Sequence, residues 1–125
     1  KLGNTGDVAV VPELVNTLNN RPDDIRLAAI RSLGKIGDPS AVEPLVKMLE
    51  DMNPMVASTA ADALGLIGDD RAVRPLAKIL RDYKNENNRH DQLHGANRGL
   101  YMAAVYALQG FKSSEAKQAL KHYYR

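Results

Sequence analysis

His90-Asp91-Gln92-Leu93-His94 sets two imidazoles four residues apart, a spacing that on a helix would bring both to one face to share a metal ion. In the metalloprotease pattern a glutamate after the first histidine serves as general base. Here the shorter Asp91 takes that place, no third ligand is evident, and the flanks lack an amphipathic helical period. No metal or cofactor is therefore assigned. His90 and His94, with Tyr83 and Arg89, are read instead as contacts on a surface loop. Gly34-Lys35-Ile36-Gly37 and Gly65-Leu66-Ile67-Gly68 hold glycines, as phosphate loops do. Neither follows a strand or ends in Gly-Lys-Ser/Thr, so they are read as helix stops. The absence of cysteine excludes thiolate metal sites, cysteine nucleophiles and disulfides.

Charge and hydropathy narrow the remaining classes. The 17 basic and 15 acidic residues give a net charge of +2, spread along 125 residues. Arg26, Arg31 and Lys35 cluster in one place only, which is too little for a nucleic-acid stripe. No apolar run approaches the roughly 20 residues that span a bilayer, so a membrane role lacks support. A cysteine-free chain suits a reducing compartment, and a cytoplasmic location is expected. Residues 1–125 form one domain by length. The chain opens on Lys1-Leu2-Gly3, the last letters of a repeat whose first part is missing, and so reads as a segment whose neighbours are adjoining repeats of a longer parent.

The elements that would position any such residue come from a repeated string. L-G-x-x-G-D occurs at Leu2 to Asp7, Leu33 to Asp38 and Leu64 to Asp69, at an interval of 31 residues. A glycine past a helix end and an aspartate before the next apolar stretch mark a tight joint between two helices. First helices are expected over Val8 to Leu18, Ser40 to Leu49 and Ala72 to Leu80, and Pro44 and Pro75 near their starts suggest a two-part beginning. Second helices are expected over Asp24 to Ile36 and Met55 to Ile67. Ile25, Ala29, Ser32, Leu33 and Ile36 share a core stripe, matched by Val56, Ala60, Ala63, Leu64 and Ile67. The small residues in that stripe permit close helix approach. After Leu80 the next match, Ala107-Leu108, comes 44 residues after Ala63-Leu64, so thirteen residues have been added. They fall within Tyr83 to Gly99, where no apolar period is evident and a surface loop is expected. Leu100, Ala104, Ala107, Leu108 and Phe111 then take the core stripe, and Ala116, Leu120, Tyr123 and Tyr124 begin a further first helix.

Ile25 to Asp38 followed by Ala41-Val42-Glu43-Pro44-Leu45 closely resembles the short HEAT-like repeat, often called the phycobilisome-lyase HEAT-like repeat. Tetratricopeptide and ankyrin lettering is absent: there is no Trp and no Thr-Pro-Leu-His. The resemblance implies an all-α fold, a right-handed alpha-alpha superhelix of about 3.5 to 4 two-helix repeats. The sequence departs from the family pattern where the Arg26 position becomes Ala57 and Tyr101, so an Arg-to-Asp ladder with Asp7 or Asp38 is partial. In the last copy the string decays to Leu108-Gln109-Gly110-Phe111-Lys112-Ser113. Deoxyhypusine hydroxylase, another HEAT-like protein, would demand His-Glu pairs. Here His90 is followed by Asp, His94 by Gly and His122 by Tyr.

What the resemblance implies for function is a non-enzymatic scaffold whose second helices line a concave face that holds a protein or peptide. The flank beside the core stripe carries Asp24, Leu27, Arg31 and Lys35, then Met55, Ser58, Asp62 and Leu66, then Gly99, Met102 and Tyr106. Five of these are large and apolar or aromatic, and aligned repeats would merge them into a patch of the kind that marks interfaces. An accessory segment of an enzyme, such as a bilin lyase-like subunit, is the alternative. All six aromatics, Tyr83, Tyr101, Tyr106, Phe111, Tyr123 and Tyr124, follow residue 82. They read either as an end cap or as a tyrosine-rich contact region.

Overall fold

A computed structural model describes residues 9–19, 21–87 and 94–123, without the side chains of 84–87, 94–97 and 122–123. The described residues form helices α1 (Val11–Thr17), α2 (Asp23–Ile36), α3 (Val42–Met48), α4 (Pro54–Ile67), α5 (Val73–Asn87), α6 (His94–Gln109) and α7 (Ser114–Tyr123). The second helices α2, α4 and α6 pack side by side in one layer. Helices α1, α3 and α5 each back onto the second helix that follows, and α7 closes against α5 and α6. This is the expected all-helical solenoid.

The joints explain the repeated string letter by letter. Leu33 and Leu64 are fully buried in the core. Gly37 and Gly68 take the left-handed conformation at φ 77° and 74°, and each N–H donates to the carbonyl of that leucine at 3.1 Å, which ends the helix. Asp38 then accepts from the Ser40 N–H at 3.1 Å and Asp69 from the Arg71 N–H at 2.9 Å, capping 3-10 turns at Pro39–Ala41 and Asp70–Ala72. The Leu2 to Asp7 copy lies outside the described residues. Gly34 and Gly65, expected to be helix stops, are instead inside their helices. A β-carbon at Gly34 would lie 3.0 Å from the Ala63 α-carbon, and one at Gly65 would lie 2.9 Å from the Ala107 β-carbon. Absence of a side chain there lets neighbouring second helices touch backbone to backbone.

The two-part beginning of the first helices is present, a 3-10 turn followed by α-helix from Val42 or Val73. Pro44 and Pro75 are third in those helices, where an N–H would have no intrahelical acceptor. The decayed last joint keeps a cap, since the Ser113 hydroxyl accepts from the Ala116 N–H at 3.2 Å.

Two further expectations are corrected. Ile25 is 45% exposed, whereas Ile30, outside the expected stripe, is completely buried, as are Ala61 and Val105. Each second helix meets both a first helix and its neighbours in the layer, so its buried arc is wider than one stripe. The loop over Tyr83 to Gly99 is also narrower than expected: α5 runs through Asn87 and α6 starts at His94, with 88–93 outside the described residues. Tyr83 continues the stripe of Ile79 and Leu80 at helical spacing. Lys78 and Asp82, four apart, add an ion pair at 2.7 Å that supports this extension.

Candidate functional site

The flank anticipated for binding is a face of the α2-α4-α6 layer, and the repeat register orders it in rows. Asp24, Met55 and Gly99 form the first row, Leu27, Ser58 and Met102 the second, Arg31, Asp62 and Tyr106 the third. Lys35 and Leu66 continue α2 and α4 beyond it. Its members are not equally available. Met55, Leu66 and Tyr106 are 59%, 68% and 62% exposed, although each is large and apolar or aromatic. Asp24, Arg31, Lys35 and Asp62 are exposed as well. Leu27, Ser58 and Met102 are half-buried. Leu27 packs against the core, and a β-carbon at Gly99 would lie 3.6 Å from the Ser58 hydroxyl.

Charge on this face is graded. Arg31 and Lys35 lie on α2 and Asp62 on α4, and among the described residues none of the three has an ion-pair partner. Partial desolvation by the neighbouring helices raises the Asp62 carboxyl above its ordinary range. Asp62 is thus an unpaired carboxylate on the helix that also exposes Met55 and Leu66.

At the edge of the layer sits a polar clamp, centred on Arg26, that the sequence did not reveal. Arg26 does not reach toward Asp38; Asp7 lies outside the described residues. Its guanidinium donates to both Asp51 oxygens at 2.6 and 3.3 Å and to Asp23 at 2.5 Å. Asn53 joins the group, donating its side-chain amide to Asp23 and its backbone N–H to Asp51. The start of α2 is thereby fastened to the turn before α4. The hydrogen bonds from Arg26 hold the Asp51 carboxyl below the usual carboxylate range, and the same donor, helped by Asn53, lowers Asp23.

A second feature, invisible in the sequence, lies in the first-helix layer. α3 is seven residues long and α5 fifteen, so α5 continues about two turns past the end of α3. The two helices barely touch. Between them opens a cleft of about 180 Å³, walled by Val46, Leu49, Pro75, Ile79 and Tyr83, with Leu100 of α6 contributing. Glu50, Lys78 and Asp82 supply its polar lining. Tyr83 stacks on Tyr101 with ring centroids 4.2 Å apart, which fastens the overhanging turn of α5 to α6.

Of the loop contacts expected from sequence, only Tyr83 is placed. Arg89 and His90 lie outside the described residues, and of His94 only the backbone, at the start of α6, is described. The aromatics divide between roles: Phe111 is buried, Tyr83 and Tyr101 stack, and Tyr106 is exposed. Among the described residues no three His, Asp or Glu side chains gather to hold a metal, and no helix is long and apolar enough to cross a membrane.

A family model of HEAT repeats matches residues 11–94, about two thirds of the chain. The chain belongs to the HEAT repeat family. The match takes in α1 to α5, while α6 and α7 extend the same packing beyond it. No curated protein matches the chain. HEAT repeats are generally protein-interaction scaffolds and typically not enzymes.

Proposed function

We propose that this segment is a non-enzymatic docking scaffold that holds a protein segment across the rows of α2, α4 and α6. The observation that carries this reading is the exposure of Met55, Leu66 and Tyr106 together on the open flank of two adjacent helices. Solitary exposed apolar residues are ordinary. Three large ones on one rigid layer, each in a different row of two packed helices, form the kind of surface by which solenoids engage partners. The charge grading adds orientation: a partner would meet Arg31 and Lys35 with an acidic residue and Asp62 with a basic one. The partner is accordingly a mixed-charge amphipathic protein segment.

Leu27 packs against the core, so charging it would confuse unfolding with lost binding. The discriminating variant is therefore Met55→Lys, Leu66→Glu and Tyr106→Lys combined, assayed against a partner isolated with the unaltered chain and then purified. A folded triple variant should lose binding at least tenfold, since interface anchors of this size each contribute about 1–2 kcal/mol or more. Undiminished affinity in a variant with unchanged circular dichroism and melting would defeat the proposal.

A further inference from the structure

The cleft between α3 and α5 belongs to the first helices and is separate from the face proposed above. Its size selects its occupant. At about 180 Å³ it falls below the roughly 300–1,000 Å³ of sites that enclose a small molecule, yet it has room for a side chain. Its walls are aliphatic and aromatic, whereas its lining charges are two carboxylates and one ammonium. Lys78 is committed to Asp82 at 2.7 Å. Glu50 is exposed and forms no ion pair among the described residues, although its charge also acts on Lys78 across the cleft. Arg81 stands on the same helix outside the lining, which disfavours a further cation on the α5 side and leaves the α3 side, at Glu50, for one.

We propose that this cleft is a second docking site, taking one aliphatic side chain of a partner peptide while an adjacent Lys or Arg of that peptide meets Glu50. Burial of the aliphatic group among Val46, Leu49, Ile79 and Leu100 supplies the attraction, and Glu50 supplies the preference for its basic neighbour. The extension of α5 beyond the length of α3 builds the upper wall through Tyr83.

The test is a titration of the isotope-labelled chain, followed by amide NMR, with a capped Gly/Ser hexapeptide bearing a single Arg-Leu pair. Binding by one anchor is weak, and chemical shifts register it at millimolar peptide. Shift changes should concentrate on Val46 to Glu50, Ile79 to Tyr83 and Leu100, and should vanish when the peptide leucine becomes aspartate. Glu50→Lys should weaken the Arg-Leu peptide about two- to fivefold, the range of a solvent-exposed ion pair, and should favour a Glu-Leu peptide instead. The Met55, Leu66 and Tyr106 triple variant should bind this peptide unchanged, so failure of one site is distinguishable from failure of the other. Absence of shifts at the cleft, persistence with the aspartate peptide, or indifference to Glu50→Lys would each overturn the proposal.

Discussion

The two layers of this solenoid are packed by opposite means. In the second-helix layer, Gly34 against Ala63 and Gly65 against Ala107 bring backbones together until no β-carbon fits between them. In the first-helix layer, α3 and α5 stand apart and leave the cleft lined by Val46, Ile79 and Leu100. The difference teaches where the fold is rigid and where it has room. A seam of small residues fixes the register of adjacent repeats and holds the exposed Met55, Leu66 and Tyr106 in fixed relation. The unequal lengths of α3 and α5 spoil the corresponding fit on the other side and make a recess.

Overpacking the seam should produce the largest effect. Gly65→Leu would drive a side chain into the α-carbon of Ala107, 3.0 Å from where its β-carbon must sit. Since backbone obstructs it, destabilisation of about 3 kcal/mol is expected in urea unfolding, the upper end of the overpacking range. Val46→Ala, on the wall of the cleft, should lower stability by about 1 kcal/mol or less, because that side chain already borders open space. Equal losses at the two positions would erase the contrast between the layers.

A smaller effect tests whether ions as well as shape hold the tight layer. Arg26→Ala leaves Asp51 with only its backbone donor from Asn53, and should lower stability by about 1.5–3 kcal/mol at neutral pH, the range for hydrogen bonds to charged groups. The pH dependence follows from the direction of the Asp51 shift. A carboxyl lowered in the folded state contributes stability above its unfolded value, near pH 4, and loses it as pH falls through the still lower folded value. The gap between the unaltered chain and Arg26→Ala should therefore close below about pH 4. A gap that persisted in acid would assign the role of Arg26 to packing of its stem.

The smallest effect has the opposite sign. Desolvation disfavours the Asp62 carboxylate, so its penalty is present at neutral pH and relieved as pH falls through its raised value. Asp62→Asn should raise the melting temperature slightly while weakening a partner that presents a cation to this face. A variant that gained stability without losing binding would remove Asp62 from the recognition surface and leave the apolar residues alone.

Much of the scaffold was legible because it is written locally. Leu33, Gly37 and Asp38 act within a few residues of one another, through a buried contact, a left-handed backbone and a side-chain cap, and their recurrence as Leu64, Gly68 and Asp69 fixed the two-helix unit. Gly34 and Gly65 were misread because a helix interior and a helix end both tolerate glycine, and only the neighbouring helix distinguishes them. The Arg26 partner was missed for a similar reason: Asp51 is distant in sequence and meets the guanidinium only when repeats stack. On the candidate face, helical periodicity found the exposed Met55, Leu66 and Tyr106, but it could not separate them from Leu27 and Met102, which are half-buried.

By itself the sequence determined the unit, its joints and its all-helical class, since these depend on periodicity and on backbone preferences of glycine, proline and aspartate. The tertiary structure alone decided which small residues are contacts, which apolar residues remain uncovered, and that a helix outgrowing its neighbour would open a cleft. Those outcomes depend on distances between segments remote in the chain, set by how side-chain volumes on adjoining repeats fit together.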